Sequence, residues 1–181
     1  MRWLETATGI LKRRARGDRM TARVDESTDE LSPHLALGRL GERMAARFLE
    51  RKGYRLVAAN FRLGVGRNTR GQVIHNEIDI VAYEGETLCF VEVKTRQSDS
   101  FALPESNVDL RKQRQITRAA RVYRRTFNLT NALFRYDVVS VLLPPAQGDG
   151  SVVPPQLRLL RGFWTEERFR KRSWFGSETN Y

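Results

Sequence analysis

The sequence predicts an α/β domain: a mixed central sheet flanked by helices, with elements in the order α-β-β-β-α-β-β. Three observations carry that class. Two segments repeat apolar residues at helical intervals of three and four. Several short runs rich in Val, Ile, Phe or Leu are bounded by Gly, Pro, Asn or Asp, as strands are. Two of these runs are joined by a tight acidic turn with a central glycine, which makes them a hairpin.

Taken in order, residues 1–33 read as a basic, flexible extension with little sustained apolar periodicity. Leu37, Leu40, Met44 and Phe48, widened by Ala45 and Leu49, give a first helix over about 36–52, with Gly53 as its terminating glycine. YRLVAANFRL reads as a strand and GVGRNTRGQ as a Gly-rich polar loop. EIDIVAY and TLCFVEVKT form the hairpin around Glu84-Gly85-Glu86, and residues 105–127 form a second long helix. RYDVVSVLL is a further strand, PPAQGDGSVVPP a loop and QLRLLR the last strand. The folded domain is expected over 34–163, followed by a basic, aromatic tail, 164–181, helical at first and then frayed.

A chain of 181 residues with 40% hydrophobic side chains suffices for one domain with its own core. No apolar run approaches the ~18 residues of a membrane span, and the N-terminus lacks the apolar block of a secretory signal. The opening MRWLETATGILKRRARGDRM is basic and faintly amphipathic, which leaves a targeting segment open, although Glu5 and the lack of serine argue against a transit peptide. Met20 is an alternative start. Cys89 is the single cysteine, which excludes an intrachain disulfide and a Cys-based zinc cluster. His34 and His75 have no partner at metal-site spacing. The chain reads as cytoplasmic, with no membrane partner. Its net charge of +11 and pI of about 10.6 suit a polyanion, and how the charge is distributed decides what that means.

Strand alternation places Glu77 and Asp79 on one face of the first hairpin strand and Ile78 and Ile80 on the other. On the second strand Leu88, Phe90, Glu92 and Lys94 share a face. Charge on strands this apolar is costly unless it is paired or bound to metal. Two carboxylates ~4 Å apart repel by roughly 4 kcal/mol at an effective dielectric of ~20. A divalent cation reverses that sign, and Mg²⁺ or Mn²⁺ takes such oxygen ligands. The lysine can then orient the attacking water and stabilise transition-state charge. The plain alternative is a Glu–Lys pair on a solvent face, which the apolar flanks in EIDIV and FVEVK weigh against.

The order acid, hairpin, Glu-x-Lys resembles the restriction-endonuclease-like superfamily, in which Holliday junction resolvases also fall. More closely, the chain resembles the YraN-type family of proposed endonucleases. The matching segments are GERMAARFLERKGY, AANFR, NEIDIVA, FVEVKTR, a helix containing LRKQRQI, and RYDVVSV, over about residues 38–141. The resemblance implies a restriction-endonuclease-like core and a metal-dependent endonuclease hydrolysing phosphodiester bonds, with DNA the favoured substrate. It makes Asp79, Glu92 and Lys94 catalytic candidates, with Asp79 and Glu92 as ligands for Mg²⁺ or Mn²⁺. Glu42 resembles the further acid that related resolvases supply from their first helix, and the wheel puts it at the edge of the apolar arc. A solvated helix glutamate is the alternative. Two departures stand out: Asn76 replaces the family's glycine, in a residue type that tolerates left-handed backbone, and the loop GVGRNTRGQVIH is long.

On the second helix Ile116, Ala120, Tyr123 and Phe127 form the core stripe. Arg111, Arg114, Arg118, Arg121 and Arg125 fall within roughly 80° of arc on the opposite side, with no acid among them. They form either a solvated face or a phosphate-binding one. Lys112 lies about 40° from the stripe centre, either snorkelling or, with Gln113, directed at the scissile phosphate as a nucleic-acid contact. Arg135 and Asp137 suit a structural ion pair. Trp164, Phe169, Trp174 and Phe175 alternate with basic residues, which fits base stacking or simple packing. A homodimer would suit cleavage of two strands, and no sequence feature demands one. The rivals are a nucleic-acid-binding module without cleavage and a basic structural or interaction protein.

Overall fold

The computed structural model describes residues 32–97, 108–144 and 153–169. The expectations for the N-terminal extension, the start of the second helix before 108, the Pro/Gly loop over 145–152 and the tail beyond 169 lie outside the described residues. The order of elements is α1 (Pro33–Arg51), β1 (Arg55–Arg67), β2 (Val73–Glu84), β3 (Thr87–Arg96), α2 (Leu110–Thr126), β4 (Phe134–Leu142) and β5 (Gln156–Trp164). A short 3₁₀ turn, Glu166–Phe169, follows. The strands form one five-stranded sheet in the order β1-β2-β3-β4-β5. β3 and β4 are parallel and every other neighbouring pair is antiparallel. The mixed sheet flanked by helices is therefore as expected.

The parallel pair requires a crossover, and α2 supplies it. Its apolar stripe of Ile116, Ala119, Ala120 and Tyr123 packs with Leu88 and Phe90 of β3 and Tyr136 and Val138 of β4. The opposite face of the sheet packs on Ala45 and Leu49 of α1 through Cys89, Val91 and Val93 of β3 and Val139 and Val141 of β4. β3 is thus covered on both faces, which explains its near-continuous apolar run. Cys89 is one of these buried core residues, and burial pushes its thiol up to about 12.

Several boundaries differ from the sequence reading, and three of the differences bear on the packing. β1 runs through Arg67, so GVGR belongs to the strand. Gly64 pairs with His75, Gly66 with Ile74 and Arg67 with Val73, across a register shift between Gly64 and Gly66. Glycine content reads as loop, whereas cross-strand pairing decides the structure here. α2 begins at Leu110, because Asp109 caps it by accepting from the Lys112 amide at 2.7 Å. It ends at Thr126, where Asn128 turns left-handed with φ +56 two residues on. Finally, Trp164 belongs to β5. Its ring stacks on Tyr136 at 4.8 Å and its indole donates to Thr117 Oγ1 at 3.0 Å, so the packed unit extends past 163. Among the described residues, no helix is long and apolar enough to cross a membrane.

Candidate active site

The site forms where the hairpin comes apart. β2 and β3 pair from Glu84↔Thr87 as far as Ile80↔Val91. Beyond that point β3 keeps its pairing only with β4, through Glu92↔Val138 and Lys94↔Ser140. The Val93 amide, lying past the last β2–β3 pair, needs an acceptor, and Asp79 Oδ2 takes its hydrogen at 2.8 Å. That bond fixes Asp79 beside Glu92 at the mouth of the splayed strands.

β2 also turns over here. Ile78 packs in the α2-side cluster with Val81, whereas Ile80 packs in the α1-side cluster. Regular alternation would have put Ile78 and Ile80 on one face, so that expectation is corrected. Opposite Asp79, between the pairs Ala59↔Ile80 and Phe61↔Ile78, Asn60 of β1 has a φ of +50. The paired strands change face together at this point. Glu77 is exposed.

Glu92 is 1% exposed. Lys94 Nζ lies 2.8 Å from its Oε1, and Lys112 Nζ lies 3.1 Å from its Oε2 and 3.8 Å from Asp79 Oδ1. The Lys112 contact with Oε2 is an ion pair outside hydrogen-bond alignment, so this water-shielded oxygen keeps an unused lone pair. Burial, and then the neighbouring Glu92 charge, hold the Asp79 carboxyl well above the usual carboxylate range, against the pull of Lys112 and the Val93 amide. For Lys112, burial favours the neutral amine, but Asp79 and Glu92 outweigh it and keep the ammonium above its ordinary range.

Glu42 comes from the other side of the sheet. α1 can approach β3 closely because residue 41 is glycine: a Cβ there would lie 1.8 Å from Thr95 Oγ1. The half-buried Glu42 is hydrogen-bonded with the Asn60 side chain and feels the charges of Glu77 and Glu92. Desolvation raises its pKa, with those charges adding to the shift and the Asn60 bond and Arg39 opposing it. Sequence reasoning missed Asn60. Its one signal was an Asn inside the strand-like AANFR, a residue type depleted in strands.

The structure thus brings Asp79, Glu92 and Lys94 together, with Lys112 added to them and Glu42 approaching from α1. Among the described residues, no three His, Cys, Asp or Glu side chains converge as a ligand group. The Asp79–Glu92 pair nevertheless fits a hard divalent ion: two adjacent carboxyl groups, one with a buried oxygen that has an ion pair to Lys112 but no aligned hydrogen bond. An adjoining cleft of about 240 Å³ is lined by Lys94, Asp109, Arg111, Lys112 and Gln115.

Gln113 does not point into this site. It is buried, and its amide donates to Val108 O at 2.7 Å, fastening the start of α2. Asn76 is not left-handed; its amide donates to Gln115 O at 2.8 Å and ties β2 to α2. Of the five arginines expected on the outer face of α2, Arg111, Arg114, Arg118 and Arg125 are exposed. Arg121 is half-buried and pairs with Glu166 at 3.2 Å, so the missing acid on that face comes from the 3₁₀ turn. Arg114 lies over the Phe169 ring, 5.7 Å from its centroid. At the opposite end of the hairpin the fully buried Asp137 accepts from Arg135, Tyr54 and the Gly162 amide, and Arg135 and Arg161 both pair with Glu84. This network is structural and distant in sequence.

Fold and site together define an α/β domain that holds a buried carboxylate pair against two lysines at the open end of a hairpin. The chain belongs to the family described as "Uncharacterised protein family UPF0102", the YraN-type family, whose model matches residues 41–141. That span includes Glu42, Asp79, Glu92, Lys94 and Lys112. A UPF0102 protein of Alkaliphilus metalliredigens (strain QYMF) is 43% identical over 108 residues, covering 60% of this chain and 86% of its own length. One from Chlorobium limicola (strain DSM 245 / NBRC 103803 / 6330) is 39% identical over 134 residues, covering 74% and 95%. A solved structure titled "Crystal structure of SSO0001" overlaps 76% of this chain and 55% of its own at a TM-score of 0.35 and 14% identity, too distant to bear on function.

Proposed function

We propose that this protein is a divalent-metal-dependent endonuclease that hydrolyses phosphodiester bonds in nucleic acid, with DNA the substrate its family resemblance favours. The observation that supports this most strongly is the Asp79–Glu92 pair at the hairpin's open end, with the buried Glu92 Oε2 held by the Lys112 ion pair but by no aligned hydrogen-bond donor. Asp79 and Glu92 would hold Mg²⁺ or Mn²⁺, and Glu42 would add a more distant carboxylate. Such an ion supplies polarisation of the phosphoryl oxygen and activation of water. Lys94, braced on Glu92 Oε1, positions the nucleophile and offsets charge developing on the phosphate. Arg111, Arg114, Arg118 and Arg125 engage backbone phosphates, which fixes register without reading sequence. A homodimer would place two such sites on two strands.

One observation favours a binding module without cleavage: Lys112 already neutralises the carboxylate pair, as a purely structural ion cluster would. The deciding experiment incubates the full chain with single strands, duplexes, flaps and four-way junctions in Mg²⁺, Mn²⁺ or chelator. Cleavage of at least one substrate that chelator abolishes is the expected result. Salt-sensitive binding with no cleavage in either metal supports the binding module.

A further inference from the structure

The two carboxyls of the cluster already face two lysines. With both carboxyls ionised, as a bound metal requires, Asp79 and Glu92 face two ammonium groups, those of Lys94 and Lys112. The lysines differ in geometry: among the described residues Lys94 pairs with Glu92 Oε1, whereas Lys112 spans Glu92 Oε2 and Asp79 Oδ1. A divalent ion held by this pair would compete with Lys112 for it, because Lys94 already takes Glu92 Oε1 and the Val93 amide takes Asp79 Oδ2. An ammonium 3.1 Å from Glu92 Oε2 and a divalent ion at the same pair repel each other at short range. Lys112 also has somewhere to go. Its side chain is 31% exposed and borders the cleft lined by Lys94, Asp109, Arg111 and Gln115, where a phosphate would meet three cations against one carboxylate, and that carboxylate is engaged in capping α2.

We infer that Lys112 is the resident counter-cation of the Asp79–Glu92 pair, that a divalent metal must displace it, and that a backbone phosphate in the adjoining cleft receives the displaced ammonium. The inference rests on the metal-binding reading of that pair. Metal and nucleic acid then bind cooperatively. Metal alone has to leave an ammonium without its carboxylates, and nucleic acid alone has to compete with them for it. Each partner removes the other's obstacle, and the coupling is reciprocal. A site built this way stays closed to metal until nucleic acid is seated, which guards against hydrolysis away from a properly docked strand.

The test titrates Mn²⁺ alone into the full chain by calorimetry, for the parent, Lys112→Met, Lys112→Gln, Lys112→Arg and Glu92→Gln. Both neutral variants at position 112 should bind Mn²⁺ at least ten-fold more tightly than the parent, Lys112→Arg should behave like the parent, and Glu92→Gln should lose binding. A second readout is duplex DNA affinity by fluorescence anisotropy, in Ca²⁺ against chelator. Ca²⁺ should tighten DNA binding by the parent, and by a factor at least five-fold smaller in Lys112→Met. If both neutral variants bind Mn²⁺ no better than the parent while Glu92→Gln loses it, Lys112 does not compete with metal and this inference falls alone. If Glu92→Gln binds Mn²⁺ as the parent does, the metal-pair reading falls with it.

Discussion

Replacing Gly41 with alanine adds one methyl group where α1 crosses β3, and two physical effects then oppose each other. Alanine is the better helix former by about 1 kcal/mol, so propensity alone predicts a more stable protein. The added Cβ, however, would lie 1.8 Å from Thr95 Oγ1 and 2.9 Å from both Thr95 Cβ and Cγ2. Rotating Thr95 moves Oγ1 and Cγ2 but leaves its Cβ in place, so α1 must recede. Overpacking of this kind costs about 1–3 kcal/mol, and an approach this short belongs at the upper end. The expected net effect of Gly41→Ala is a loss of about 2 kcal/mol once propensity is subtracted. Thr95→Ala in the same chain removes two of the three contacts, leaving a favourable coupling of about 1 kcal/mol in a double-mutant cycle. Urea unfolding followed by tryptophan fluorescence and circular dichroism measures all four corners. Receding α1 also withdraws Glu42, so the single variant should lose nucleic-acid cleavage by more than Thr95→Ala does. A Gly41→Ala protein as stable as the parent, or more so, would refute the close seating of α1.

Arg135→Met leaves the fully buried Asp137 short of its two-pronged partner and should lower stability by about 3 kcal/mol in the same unfolding assay; a neutral result would show that Tyr54 and the Gly162 amide suffice. The raised pKa of Asp79 means that the native chain binds more protons than the unfolded one above the ordinary aspartate range of about 4, so this residue makes stability fall as pH rises from there. Asp79→Asn, which can still accept from the Val93 amide, should therefore melt higher than the parent at pH 8 without divalent metal and about equally at pH 4; a lower melting temperature at pH 8 would reverse that sign. For nucleic acid, Arg111→Ala or Arg125→Ala should each reduce the slope of log affinity against log salt by about 0.9. Arg121→Ala should leave the slope unchanged and weaken folding, because Arg121 already serves Glu166.

Much of this was legible from the sequence because it is local. TLCFVEVK announces a largely apolar strand, and Glu84-Gly85-Glu86 announces its turn, where Gly85 does adopt a φ of +56. Helical periodicity was enough to direct Lys112 back towards the sheet and to set Glu42 at the edge of its apolar arc. What escaped depends on pairing and distance. The glycines of GVGR look like a loop until β2 is seen to pair with them. The change of face at Asp79 breaks the regular alternation on which any strand reading rests. It is marked only by Asn60, nineteen positions earlier on the neighbouring strand, whose backbone is left-handed. Glu166, which takes up Arg121, and Arg161, which pairs with Glu84, lie dozens of residues from their partners, beyond any local pattern.

The central claim is that Asp79, Glu92 and Lys94 are chemical groups rather than a structural ion cluster. Single-turnover cleavage in Mg²⁺ tests it most directly, comparing the parent with Glu92→Ala and Lys94→Ala on a substrate the parent cuts, at protein concentrations that saturate binding. The account predicts that both variants lose cleavage by at least a hundred-fold while keeping most of their affinity for the substrate. Variants that are folded, bind and cut as fast as the parent would contradict it.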